Sequence, residues 1–400
     1  MKAKLFNTTC ALLLLMQGFC YADTKSITIE PDAEVHIVRS PIGNFMVIDS
    51  KTGRVHLKSK DIDGLMDDPN LAEVIKPNVN TRTSPQQSQD QNIDDNDADQ
   101  KIKLYSKSYS VDADTKLNIN NRYGKVSVNT WNKNEIKVDV QIKVSANKPE
   151  DTNNLLNSIT IDDSRSGQTI SFKTNIANGS QSFLSSLGNK NRKMEINYTI
   201  YMPAINALSI NNKYGDIDLP DLDGKLDINC AYGDLTAKAL NNPANEIKVS
   251  YGDARIVGLR ATDLDIKYGS LVLGWVDKLN ADMSYSSAKI GKISTSGNIN
   301  IKYGGGLKIA DIDKNLKSLL VDSKYASITV GLNNAENADF DVTVKYGSFN
   351  YDNRPVKMQK SVPVEDTRWN PTKNFKGHLG KGDVEKMINI NSAYSSVRFD

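Results

Sequence analysis

LSINNKYGDIDL at 208–219, LDINCAYGDLTA at 226–237 and LDIKYGSLVL at 264–273 are copies of one phrase. It returns as LNADMSYSSAKI (279–290), LLVDSKYASITV (319–330) and FDVTVKYGSFNY (340–351). A tyrosine anchors each copy: Tyr214, Tyr232, Tyr251, Tyr268, Tyr285, Tyr303, Tyr325 and Tyr346, with outlying anchors at Tyr123 and Tyr394. Adjacent anchors lie about 17 to 22 residues apart, in the range of solenoid coils. Apolar residues mostly fall two, four and six positions before the tyrosine, then three and five after it. Around Tyr346 these are Phe340, Val342, Val344, then Phe349 and Tyr351. Spacing of two on each side means two half-buried strands, and the change of parity between them requires a corner.

Glycine follows most anchors (Gly215, Gly233, Gly252, Gly269, Gly304, Gly347), which predicts a corner where glycine supplies the positive φ. At Tyr303 the run YGGGLKI sets Leu307 and Ile309 one position late, as a bulge would. A strand–corner–strand unit cannot bury its apolar face alone. Stacked copies can, at about 4.8 Å per coil, so the stretch from Tyr214 to Tyr346 would span roughly 34 Å. The fold expected is all-β: a parallel β-solenoid with Tyr-Gly corners. Because the anchors share parity with the apolar positions before them, they are expected to line the inner edge of the corner. The other reading is an exposed tyrosine stripe that stacks on carbohydrate.

Around this array the chain of 400 residues divides into further parts. Residues 1–22 read as a signal peptide, with Lys2 and Lys4 before an apolar run from Ala11 to Phe19 that is too short to span a membrane. No other stretch has the length and apolarity of a membrane helix, so an exported protein is expected, in the periplasm or at the outer cell surface. Residues 23–75 read as a small β-rich module with strands at 26–30, 34–38, 44–49 and 54–58, and a short helix over 68–75. Residues 76–101 carry prolines, a Gln-Ser run and an acidic string, the composition of a disordered linker. The main domain is placed at 102–400. Its first full repeat is LNINNRYGKVSV (117–128), and a helix opens at Pro149. Residues 176–193 read as a loop. Residues 352–386 read as a long loop, either a cap over the open end of the array or a binding loop.

Charge and chemistry narrow the function classes. Fifty basic residues face 48 acidic ones. Without Lys2 and Lys4 the balance is even, which argues against nucleic acid as a partner. After the leader, Cys230 is the one cysteine left, at an apolar position two before Tyr232, so a buried thiol is expected. His36, His56 and His378 fit no metal-ligand pattern, and GHLGKGD (377–383) lacks the Ser or Thr that phosphate cradling needs. Asp216, Asp234 and Asp253 follow their anchors by two positions in consecutive coils. In register they would stack about 5 Å apart, as a weak Ca²⁺ site or as carboxylates that bond local amides. Lys213, Lys267, Lys302, Lys324 and Lys345 precede their anchors, and Lys213 is expected to neutralise Asp216.

The repeated [LI]-x-[IV]-x-x-[YF]-G-[DSN]-[IL] phrase, with YGKVSVNTWNKNEIKVDVQIKV (123–144) and MEINYTIYMPAINALSINNKYGDIDLPDL (194–222), resembles the exported "putative-adhesin" β-solenoid proteins of Bacteroidetes. The resemblance covers about 103–400. It implies a parallel solenoid at the cell envelope and brings no catalytic residues. The expectation is a non-catalytic, adhesin-like scaffold that binds glycan or an envelope protein. The alternatives are a polysaccharide-active β-helix enzyme and a periplasmic signalling partner.

Overall fold

The computed structural model describes residues 35–39, 44–49, 55–59, 99–177, 193–332, 337–351, 356–359, 371–380 and 385–400. The expected leader, the expected strand at 26–30, the expected helix at 68–75 and most of the expected linker and 176–193 loop lie outside these residues. The chain divides into two compact units, Met1–Ile93 and Asp94–Asp400. In the first, β1 (Val35–Arg39), β2 (Asn44–Asp49) and β3 (Val55–Ser59) form an antiparallel sheet in that order.

The second unit opens with β4 (Asp99–Ser110), β5 (Lys116–Arg122), β6 (Val126–Thr130) and β7 (Glu135–Ala146). Helix α1 (Pro149–Asn157) precedes a hairpin of β8 (Ile159–Ser166) and β9 (Thr169–Ile176), and β10 (Lys193–Met202) leads into the repeats. Pro149 sits at the helix start, where its missing N–H costs nothing, with Glu150 and Asp151 in the first turn. The repeats supply β11 (Ala207–Lys213), β12 (Ile217–Leu219), β13 (Leu226–Ala231), β14 (Leu235–Leu240) and β15 (Asn245–Ser250). Then come β16 (Ala254–Lys267), β17 (Ser270–Ser284), β18 (Ser287–Lys302), β19 (Gly306–Ile312), β20 (Ser318–Lys324), β21 (Ile328–Val330), β22 (Ala338–Lys345) and β23 (Phe349–Asn350). The chain ends with β24 (Val356–Met358), β25 (Thr372–Leu379), β26 (Met387–Ala393) and β27 (Val397–Phe399). All of β4–β27 belong to one mixed sheet.

Pairing through the repeats is parallel and in phase. Leu208 faces Leu226 and Ile210 faces Ile228 before the anchors, while Ile217 faces Leu235 after them. The ladder before the anchors runs β9–β5–β11–β13–β15–β16–β17–β18–β20–β26–β22. The ladder after them runs β6–β12–β14–β16–β17–β18–β19–β21–β27–β23. The long strands β16, β17 and β18 take part in both. Columns such as Ile210, Ile228, Ile247, Leu264 and Ile217, Leu235, Ala254, Leu271 are buried between the ladders. Each large side chain so buried contributes about 1.5–3 kcal/mol. The extra residue at YGGGLKI is absorbed as expected: Leu307 pairs with Ala288 and Ile328, and Gly306 takes φ 110°.

Three expectations change. The sheet begins at Asp99, because β7 runs to Ala146 and pairs with Asp99, so Asp99, Gln100 and Lys101 belong to a strand rather than to the linker. The 352–386 stretch is not wholly a loop: β25 pairs antiparallel with β22 from Ala338↔Leu379 to Lys345↔Thr372, and β24 pairs with β25. That covers an edge of β22 which would otherwise expose its amides and carbonyls. The last repeat is also not the last in the sheet. β26 lies between β20 and β22, so the repeat of Tyr394 is inserted between those of Tyr325 and Tyr346.

Candidate functional site: a tyrosine ladder at the corner

The corner reverses the expected roles of tyrosine and glycine. All ten anchor tyrosines, from Tyr123 to Tyr394, take positive φ, between 54° and 64°. The glycines that follow do not. They are required for a different reason: a Cβ on Gly215 would lie 2.0 Å from the Gly124 carbonyl oxygen, and one on Gly269 would lie 1.9 Å from that of Gly252. Neighbouring repeats meet backbone to backbone at these glycines, closer than a Cβ allows without a shift. Left-handed backbone costs a non-glycine residue about 1–2 kcal/mol. In return the hydrogen-bond ladder passes through the corner without a break. Tyr214 donates its N–H to the Ala231 carbonyl, Tyr232 to Ser250, Tyr251 to Lys267 and Tyr268 to Ser284.

The left-handed kink also turns the tyrosine outward, so the inner-edge expectation fails. Parity counts faces only while the backbone stays extended, and the kink falls on the tyrosine itself. Nine of the ten rings are 43–53 % exposed. They stack in spatial order from Tyr123 to Tyr325, then Tyr394 and Tyr346, with centroids 4.7–5.3 Å apart and planes within 21° of parallel. Nine steps make a ridge about 43 Å long at the ordinary strand spacing. Each stacked pair contributes about 0.5–1.5 kcal/mol beyond burial. The eight interior rings have both faces covered by neighbours, so a sugar ring cannot stack on them. What they offer to solvent is a row of edges and hydroxyls.

The flanking columns differ from expectation as well. The Lys213 ammonium lies 5.0 Å from the centre of the Tyr214 ring and 5.5 Å from that of Tyr232, rather than on Asp216. Lys324 and Lys345 sit similarly over Tyr325 and Tyr346, while Lys267 pairs with Asp265 at 2.8 Å. On the other flank the three aspartates link coil to coil. Asp216 accepts from the Asp234 N–H at 2.9 Å and Asp234 from the Asp253 N–H at 2.8 Å. Asp253 accepts from the N–H and hydroxyl of Ser270. The Arg255 guanidinium bridges Asp234 and Asp253, at 3.0 and 2.9 Å. Among the described residues no group of three or more His, Cys, Asp or Glu is placed to hold a metal ion.

Inside the corner, Asn212 donates to the carbonyls of Gly124 and Gly215, and Cys230 occupies the same column one coil on. Cys230 is fully buried, and burial, aided by the charges of Asp216 and Asp234, pushes its thiol up to about 12. At the first end of the array Asp163 accepts from the hydroxyls of both Tyr105 and Tyr109, whose rings pack edge-on against Phe172. His378 bonds Asp339 at 2.7 Å, and the side chains of His36 and His56 lie outside the described residues. A shallow groove of about 520 Å³, lined by Lys225, Glu246, Asp263, Asn280 and Asn298 among others, crosses the face before the anchors.

No protein-family model matches the chain, and no curated protein sequence is similar to it. Among solved structures it is similar to a "putative cell adhesion protein" from Clostridium sporogenes, at 13 % identity over 75 % of this chain and 99 % of that one, with a TM-score of 0.21. It is also similar to a "putative adhesin" from Parabacteroides distasonis, at 10 % identity over 76 % and 98 %, with a TM-score of 0.35. A further "putative adhesin", from Bacteroides fragilis, is 12 % identical over 74 % and 97 %, with a TM-score of 0.29. Among the described residues no helix is long and apolar enough to cross a membrane.

Proposed function

We propose that the chain is an exported, non-catalytic envelope protein: a β-solenoid scaffold of adhesin-like kind that holds a glycan or another surface component along its tyrosine corner. In this reading residues 1–22 are a leader, 23–75 a separate small module, and the coils of 102–400 the binding scaffold, acting in the periplasm or at the cell surface.

The observation that carries the reading is the ridge itself. Ten tyrosines accept left-handed backbone and stand outside the core, one per repeat, in one continuous stack. Each phenol hydroxyl can donate and accept a hydrogen bond, so the row repeats the same polar contact at every coil. Tyrosine combines apolar area with a polar tip and few rotatable bonds, which suits it to recognition surfaces. The geometry matches an extended polymer lying parallel to the ridge better than a compact ligand.

The test is co-sedimentation of the purified chain with isolated envelope polysaccharide, with Ca²⁺ and with chelator. The comparison is a Tyr268→Asn, Tyr285→Asn double variant, since asparagine tolerates left-handed backbone while removing the ring. The parent should sediment and the variant should bind several-fold more weakly. A parent that stays in solution sinks the reading. Release of reducing ends that depends on Asp216 would replace it with the enzyme alternative. Loss on chelation would make the aspartate column a cation site.

A further inference from the structure

Within the three long strands β16, β17 and β18 the alternation of faces slips once, at two successive residues on the outer side. In β16 these are Val257 and Gly258, in β17 Gly274 and Trp275, and in β18 Gly291 and Lys292. Val257 is 57 % exposed and Trp275 38 %, with Val272 exposed close by on β17. Gly258 and Trp275 are register partners. A Cβ on Gly258 would lie 2.1, 2.3 and 2.4 Å from Cε2, Cζ2 and Nε1 of Trp275. An approach in the ring plane would bring such a Cβ nearest to Nε1 and Cζ2. Cε2 is nearest, so the indole meets Gly258 with its face. It lies flat across the neighbouring coil, in a slot that exists because residue 258 has no side chain.

The outer side of this ring differs from the eight interior rings of the tyrosine ladder. Among the described residues no aromatic ring stacks on Trp275, no cation sits over it, and its Nε1–H has no protein acceptor. Of the cations nearby, Lys292 pairs with Asp313 at 2.7 Å and Arg255 with Asp234 and Asp253, while Lys289, the register partner of Val272, is exposed on β18. The result is a fixed, flat aromatic surface with a free donor at its edge.

We propose that Trp275, seated on Gly258 and flanked by Val257 and Val272, is a stacking platform for one uncharged pyranose ring of a glycan. The aliphatic C–H face of the sugar covers the indole, and a ring hydroxyl accepts from Nε1. This rests on the glycan-binding reading above and locates its sugar-stacking subsite away from the tyrosines, whose interior faces are covered. A bilayer is the less suitable occupant. A membrane anchor projects its ring into the lipid, whereas this one is laid down against backbone.

The experiment uses the full chain with Trp131→Phe and Trp369→Phe, so that Trp275 is the one tryptophan, excited selectively at the red edge of the absorption band where tyrosine does not absorb. The probes are soluble β-1,3- and β-1,4-linked gluco-oligosaccharides, N-acetylglucosamine oligosaccharides, and phosphatidylglycerol–phosphatidylethanolamine vesicles. At least one oligosaccharide should shift Trp275 emission and shield it from iodide. In the otherwise unchanged parent chain, Trp275→Ala should then weaken that sugar's binding by about tenfold or more, and Trp275→Phe by less. Gly258→Ala, which fills the slot, should lose binding with the indole still present. No emission shift with any oligosaccharide, unchanged affinity in Trp275→Ala, or a response to vesicles in place of sugars would each overturn the proposal. If Trp275→Ala still sediments with envelope polysaccharide and the tyrosine variant does not, the platform falls and the ridge stands. If the parent itself does not sediment, the broader reading fails.

Discussion

Replacing Gly269 by alanine tests the corner directly. The added methyl would sit 1.9 Å from the Gly252 carbonyl oxygen, well over 1 Å inside ordinary contact, and the obstacle is backbone. The two repeats are held in register on both sides of the turn, by parallel pairing of β15 with β16 before it and of β16 with β17 after it, so they cannot separate locally without losing ladder bonds. Overpacking of this kind costs about 1–3 kcal/mol. The chain does contain adjusted corners: Ser286 and Ala326 carry a side chain at the same position, both buried, and Ser286 directs its hydroxyl to the Ile266 and Ser284 carbonyls. The expected cost is therefore about 2–3 kcal/mol rather than loss of the fold. Tyr268→Gly is the contrasting variant. It relieves about 1–2 kcal/mol of left-handed backbone, forfeits two ring contacts at 4.7 and 4.9 Å, each worth about 0.5–1.5 kcal/mol, and adds glycine's chain entropy of about 0.5–1 kcal/mol. The net loss should be about 1 kcal/mol. Urea unfolding followed by far-UV circular dichroism ranks the two. A Gly269→Ala chain as stable as the parent, or less damaged than Tyr268→Gly, would refute the assignment of close approach to glycine and of the kink to tyrosine.

Two other outcomes follow from titrating groups. The Tyr105 and Tyr109 hydroxyls hold the Asp163 carboxyl below the usual carboxylate range, and the same bond, with burial, pushes Tyr109 up to about 12. The carboxylate's stabilisation is then complete above pH of about 4 and lost as pH falls further, and the phenol's is complete below about 10 and lost as pH rises toward 12. Asp163→Asn should flatten both limbs of a thermal-stability profile against pH, and an unchanged profile would contradict the linkage. Cys230, buried with its thiol raised to about 12, should resist a thiol reagent at neutral pH until the chain unfolds; rapid labelling of the Cys230 peptide in the native chain would show the corner to be open.

Much of the fold was legible because a strand alternates its faces with period two. The run of Leu264, Ile266, Leu271 and Leu273 told which side chains are buried, and the parity change at Tyr268 told where the chain turns. Period-two counting stops at the turn itself. There it could not say whether Tyr268 or Gly269 takes the left-handed backbone, and it placed the tyrosines inside. A signal was present: glycine needed only for its φ would tolerate asparagine, yet the sequence substitutes Ser286, Ala326 and Ser395, small residues without that preference, which points to close approach.

The sequence by itself determined the repeated unit, its strand positions and its buried columns, since those depend on neighbours within one coil. Only the tertiary structure decided what depends on the next coil. The tyrosines form a ladder because stacked coils bring their rings within 5.3 Å, and the glycines are fixed by a carbonyl that belongs to another coil. The Tyr394 coil enters between those of Tyr325 and Tyr346 because β26 pairs with both β20 and β22. Trp275 became a surface only once Gly258, seventeen residues earlier, lay directly beside it.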